Sequence, residues 1–295
     1  MFAPAFLLIF GLGYSAAAIA EQARARGFTV VGTKRNATEN PDVIGFSEAG
    51  RYLPRVTHVL SSVPPDAEGD PVLSQYGDAL AAAPALRWVG YLSTTGVYGN
   101  RDGAWVDETT PTRPDSERGR KRVAAEAAWG AFAARVDVDI FRLAGIYGPG
   151  RSVFDDLRAG RARRVIKPGH AFGRIHRDDI VAAVLAAMGQ ARPAGPPRIL
   201  NLTDDWPAES AEVITEAAAM LGMAPPPAIP FAQAVETMSP MARSFWADHR
   251  RVSSEATQKT LGITWRYPTY REGLWAILQE ERLHGVTQQS EVGGA

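Results

Sequence analysis

The chain contains no cysteine. That excludes disulfides, thiolate zinc centres and a cysteine nucleophile, and it fits a reducing compartment such as the cytoplasm. Net charge is also missing, since Lys plus Arg and Asp plus Glu both number 32. No global field draws the protein to nucleic acid, so a cluster of one sign needs a local reason. Long apolar runs are absent too, with nothing approaching the roughly 18 consecutive apolar residues of a membrane span. The opening "MFAPAFLLIFGLGYSAAAIAE" imitates a secretory leader through Ala18-Ile19-Ala20, but no Lys or Arg precedes its apolar run. It reads better as a strand, a glycine turn and a helix. There is no internal repeat. What is present is an ordinary globular composition, 295 residues with 45% hydrophobic content, enough for one large α/β domain or a domain with a smaller lobe.

Apolar runs at 5–10, 29–33, 42–46, 57–62, 87–93 and 138–144 alternate with helical patterns at 15–26, 71–83 and about 116–134. Such alternation predicts a Rossmann-type, doubly wound parallel sheet with helices on both faces and ligands at the carboxyl ends of the strands. After Pro149-Gly150 the pattern changes to short helices between basic and proline-rich loops. The expected division is a dinucleotide-binding domain over 1–150, to which 177–204 returns a strand. A smaller, mostly helical lobe takes 151–176 and 205–284, and a polar, glycine-rich tail over 285–295 reads as disordered.

The first candidate site is Gly11-x-Gly13-x-x-Ala16, between the first strand and the first helix. The first glycine permits a tight turn, the second lets the backbone approach a pyrophosphate, and the small Ala16 lets helix pack on strand. Leu12, Tyr14 and Ser15 complete the turn. At the end of the second strand, where an NAD-binding protein usually places a carboxylate on the ribose, this chain has Thr33-Lys34-Arg35. Two cations and no acid favour NADP over NAD, unless they are merely a basic surface turn.

A second feature is "SERGRKRVAA", 116–125, with four basic side chains in five residues at a helix start. The macrodipole disfavours cations there, and a bound phosphate would offset the cost. Glu117 and Lys121, four apart in the favourable order, equally suit an ion-paired solvated face. Nucleic-acid binding finds no support in the overall charge.

The motifs "YLSTTGVYG" (91–99), "DETTPTRP" (107–114), "FRLAGIYGPG" (141–150) and "RIHRDDI" (174–180) together resemble the extended short-chain dehydrogenases/reductases, the NAD-dependent epimerase/dehydratase family. Residues 241–274 look closer to an atypical branch, the YeeZ-like proteins. The resemblance runs from about residue 5 to 280. It implies that Thr94, four before Tyr98, hydrogen-bonds the substrate's reacting oxygen. It also implies that Ser61, Ser62, Val63 and Ser93 run beside the cofactor, with Leu143, Ala144, Gly145 and Ile146 bordering the nicotinamide. The family's catalytic Tyr and Lys, aligned through Gly119 and Glu126, fall on Arg118 and Arg122. Arg122 could hold the cofactor ribose as the Lys would, whereas a guanidinium at Arg118 stays protonated and is a poor proton carrier. Gly145 replaces an Asn that could hold a nucleotide sugar, which weakens that substrate class.

Thr95, Tyr147, Arg174, His176 and Arg243 are candidate substrate contacts. Tyr98, Tyr147, His176 or water would have to supply the proton. No metal is expected: His170, His176 and Asp178 could suggest one, but Asp178 more simply caps the helix that follows. Two functions stay open. One is an NADP-dependent oxidoreductase or epimerase acting on a small polar, sugar-like or phosphorylated substrate. The other is a non-catalytic NADP-binding sensor or regulatory protein. Family members are often dimers through two helices of the Rossmann domain, so a homodimer is expected by resemblance.

Overall fold

The computed structural model describes residues 5–36, 39–193 and 195–292. Seven parallel strands form one sheet: β1 (Phe6–Phe10), β2 (Thr29–Lys34), β3 (Val43–Gly45), β4 (His58–Ser61), β5 (Trp88–Thr94), β6 (Asp137–Leu143) and β7 (Arg198–Leu202). Their order across the sheet is β7-β6-β5-β4-β1-β2-β3. The direction of winding reverses between β1 and β4, and that switch point is where this class of sheet binds nucleotides. The leader-like apolar run is therefore β1, wholly buried at the switch.

Strand periodicity explains the two cores. Leu7 and Ile9 face one side, with α1 (Tyr14–Ala25) and α4 (Arg177–Gly189); Phe6, Leu8 and Phe10 face the other, with α2 (Pro71–Ala82) and α3 (Glu117–Gly130). Each large side chain so buried contributes about 1.5–3 kcal/mol. The first three helical patterns read from the sequence match α1, α2 and α3 closely, the last continuing as a 3₁₀ turn over Ala131–Ala134.

Buried polar links tie distant elements. Asp70 caps α2 by accepting the Val72 and Leu73 N–H groups, while its other oxygen accepts the Trp129 indole N–H of α3 at 2.8 Å. Asp139 on β6 accepts from Trp88 of β5 and from Arg198 of β7, both at 2.8 Å. Glu126 of α3 and Arg142 of β6 pair at 2.7 Å with both side chains 7% exposed.

Beyond β6 a third core joins Tyr147, Phe154, Leu157, Ile214, Tyr270 and Ile277, drawn from α5 (Ser210–Met220), α6 (Tyr270–Val292) and their neighbours. Short strands pair outside the main sheet, Gly145–Tyr147 lying parallel to Arg174–His176 and Trp105–Val106 parallel to Arg251–Val252. Helix α6 runs on to Val292, through most of the segment read as a disordered tail; between Gly285 and Val292 the stretch has no Gly or Pro to stop it. Residues 293–295 lie outside the described residues.

Candidate functional site

The glycine turn has the properties that dinucleotide binding requires. Gly11 sits at φ +82°, and a Cβ there would lie 3.0 Å from Val63 Cγ2, so only glycine lets the β1 and β4 loops meet. A Cβ on Gly13 would meet nothing within 4 Å, so the backbone is open to an approaching group. Gly13 caps α1 without any side-chain bond to the first-turn amides. Ser15 Oγ and Ser61 Oγ are buried with no hydrogen-bond partner among the described residues. Open amides and orphaned hydroxyls at a helix start suit a pyrophosphate.

Thr33 turns inward: its Oγ1 accepts the Gly11 N–H at 3.1 Å and its carbonyl the Leu12 N–H at 2.8 Å. Its role is to hold the turn. Lys34 and Arg35 are exposed, and their side chains make no hydrogen bond or ion pair among the described residues. Tyr14 reaches across to the lobe, donating to the Pro149 carbonyl at 2.9 Å with Arg151 and Arg177 over its ring. Ser62 extends β4 by donating its N–H to the Phe10 carbonyl.

Beyond the carboxyl ends of β5 and β6 lies a cleft of about 410 Å³. Thr94, Thr95, Arg118, Leu143, Ala144, Gly145 and Arg174 line it, so seven residues picked from the sequence converge there. Thr94 Oγ1 accepts the Gly96 N–H at 3.1 Å, leaving its hydroxyl proton to point elsewhere. Arg118 is exposed and makes no hydrogen bond or ion pair among the described residues. It also borders a neighbouring cavity of about 460 Å³ formed by the loop after β4 and by Arg122. Arg122 is buried, its Nη1 donating to the Tyr91 hydroxyl at 3.0 Å and to the Leu92 carbonyl at 2.8 Å. The two arginines thus part company: one is free at the cleft, and the other braces α3 against β5. Lys121 is an ion-paired surface residue, 2.8 Å from Glu117.

Several expected contacts are elsewhere. Tyr98 is wholly buried, its hydroxyl donating to Asn201 at 2.8 Å and the Arg142 guanidinium 4.8 Å above its ring. Burial pushes its pKa up, only partly opposed by Arg142. Ser93 faces inward and donates to Glu126 at 2.5 Å. Tyr147 is buried in the lobe core with its phenol pKa driven upward by desolvation. His176, 1% exposed, packs against Tyr147 and Tyr267, and burial lowers its pKa to about 4. It is also the cap of α4, Nδ1 accepting the Asp178 N–H at 3.2 Å, so the cap assigned to Asp178 belongs two residues earlier. Arg243 is exposed and donates to the Glu236 carbonyl, away from the cleft lining. Ile146 packs on the core beneath the sheet edge.

The cleft also holds residues that sequence reasoning missed: Ser116, Phe172, Ser210, Phe245, Trp246, Asp248 and Arg250. Arg250 Nη1 donates to Asp248 at 2.9 Å and to the Gly99 carbonyl at 3.0 Å, while Nη2 reaches toward Gly96 beside Thr94. Three arginines against one already paired carboxylate make the cleft electropositive. Among the described residues no Tyr, His, Lys or Glu lines it, and no group of three or more His, Asp or Glu could hold a metal ion. No helix is long and apolar enough to cross a membrane among the described residues.

No family model matches the chain. A structure of a functionally unknown conserved protein from Silicibacter pomeroyi DSS superposes with a TM-score of 0.85 at 42% identity, covering 94% of this chain and 99% of that one. The human epimerase family protein SDR39U1 (isoform 2), solved with NADPH, superposes with a TM-score of 0.75 at 19% identity over 93% and 99% of the two chains. The chain shares its fold with that epimerase family protein. In sequence it is similar to Protein YeeZ of Escherichia coli (strain K12), 29% identical over 245 residues, 74% of this chain and 84% of YeeZ.

Proposed function

We propose that the protein binds NADP and is an oxidoreductase or epimerase acting on a small anionic polar substrate. The observation that carries this reading is an electropositive, Thr94-lined cleft at the same carboxyl edge of the sheet as the start of α1, whose first turn has no side-chain cap and whose Ser15 hydroxyl has no partner among the described residues. Gly11 to Ala16 would hold the pyrophosphate of the dinucleotide, and the exposed Lys34 and Arg35 its 2′-phosphate. The nicotinamide supplies or accepts hydride when bound. Thr94 offers its hydroxyl proton to the substrate oxygen, and Arg118 and Arg250 orient an anionic group by charge-assisted hydrogen bonds. Arg122 keeps the α3 start fixed against β5 and borders the cofactor side.

A second reading, a non-catalytic NADP sensor, is favoured by one specific observation. The phenols and imidazole suited to carry a proton, Tyr98, Tyr147 and His176, are buried away from the cleft. Lack of a positioned acid or base costs about 100- to 10,000-fold in rate. Fluorescence titration with NADPH and NADH tests both readings. Tight NADPH binding should weaken about tenfold or more in Lys34→Ala plus Arg35→Ala while NADH binding holds. If neither nucleotide binds, both readings fall. A carbonyl screen with consumption of NADPH then separates enzyme from sensor.

A further inference from the structure

A cavity of about 350 Å³ adjoins the cleft through two shared residues, Arg174 and Ser210. Its wall adds three more arginines, Arg151, Arg161 and Arg163, against a single acid, Asp156, which pairs with Arg161 at 3.1 Å. Arg151 is exposed and its side chain makes no hydrogen bond or ion pair among the described residues. Arg163 has one hydrogen bond, to the Thr237 hydroxyl. Arg174 is anchored by the Phe172 and Ala208 carbonyls through Nη1, so its guanidinium stays on the boundary between the two spaces.

The backbone adds donors on the same wall. Helix α5 has Glu209 as its cap residue, but the Glu209 carboxylate accepts the Gly169 N–H at 2.6 Å and makes no cap bond. The first-turn amides at Ser210 are therefore open where the positive end of the helix dipole meets Arg174. Like charges gathered around a cavity repel one another, and an anion placed among them removes that cost.

We propose that this cavity is a second anion subsite, and that the substrate is a phosphorylated small molecule. Its phosphate sits among Arg151, Arg163 and Arg174, and its reacting group lies in the adjoining cleft near Thr94. This rests on the functional reading above for the direction in which the substrate lies, but the subsite can be tested without it. A phosphate presents three acceptor oxygens to forked guanidinium donors, and the two spaces together suit a ligand longer than a single anion. The remote phosphate would also orient a substrate whose reacting end meets few fixed groups.

The test is calorimetric titration of the full chain with inorganic phosphate and pyrophosphate, with and without saturating NADPH. Arg151→Gln plus Arg163→Gln should weaken pyrophosphate binding about tenfold or more. NADPH binding and the thermal midpoint should change less than about twofold and about two degrees, since Arg151 meets the glycine turn only through its contact over the Tyr14 ring and Arg163 makes only one hydrogen bond, to Thr237. Arg118→Gln, which alters the cleft but not this cavity, should change pyrophosphate binding little. The inference is overturned if the wild type binds neither anion, or if the double variant binds them like the wild type. It is equally overturned if the double variant loses NADPH affinity, since the arginines would then serve the cofactor. Anion binding that persists where NADPH fails to bind would sink the functional reading and leave the subsite standing.

Discussion

The sheet and the lobe bury charge in opposite ways. Around β5, β6 and α3 the ionic groups are interior: Glu126 bonds Arg142 and Ser93, and Asp139, wholly buried, bonds Trp88 and Arg198. In the lobe the comparable pairs lie in solvent, with Arg271 held by Glu212 and Glu216 and Arg158 by Glu281. The difference teaches where each part gets its definition. A buried pair fixes one arrangement of strands because a misplaced partner is left charged and dry, whereas a solvated pair tolerates displacement.

The largest expected effect follows from removing half of a buried pair. Glu126→Ala leaves the Arg142 guanidinium uncompensated beneath α3, and denaturant unfolding should record a loss of about 3–5 kcal/mol. A loss below about 1 kcal/mol would show that the interior pair behaves like a surface one. Acid should act next. Burial lowers His58, His170 and His176 to about 4, below their ordinary 6.5. The unfolded chain takes up protons that the folded chain refuses, so stability is complete above pH 6.5 and declines as pH falls toward 4. Asp204 acts in the opposite sense: burial lifts its carboxyl to about 8, so its contribution is lost as pH rises through that value. Unfolding midpoints measured across pH 4–9 should therefore peak near 6.5, and Asp204→Asn should flatten the alkaline side. A profile that rises throughout would contradict the Asp204 assignment, and one that falls throughout would contradict the histidine assignment. The smallest effect belongs to the lobe surface, where Glu281→Ala should cost about 0–1 kcal/mol and less still in high salt.

Much of this architecture is written locally. The strand runs, the glycine turn and the starts of α1, α2 and α3 depend on periodicity, on small residues and on caps such as Asp70 and Ser116, which lie within a few residues of what they organise. The Thr94, Leu143 and Gly145 cleft positions follow strand ends in the same way. What the sequence conceals is the direction in which a side chain turns. Tyr98 and His176 look available in their motifs, yet one is claimed by Asn201, 103 positions away, and the other by Tyr267. Arg250 enters the cleft because Arg251–Val252 pairs with Trp105–Val106, a register between segments remote in the chain and without a local signal. Arg118 and Arg122, alike on paper, differ because only the second reaches the Leu92 carbonyl.

The last strand of the sheet, β7, arrives only after the chain has made a first excursion into the lobe, and it locks against β6 through Arg198 and Asp139. Until residue 202 has emerged from the ribosome, β6 is an open edge carrying a bare acid, a template for pairing with the wrong partner. Cutting the chain between the two halves would accordingly give no pair of separable modules. A protease nick in a lobe loop should leave both fragments travelling as one body, and expression of the first 150 residues alone should yield an incomplete sheet prone to self-association.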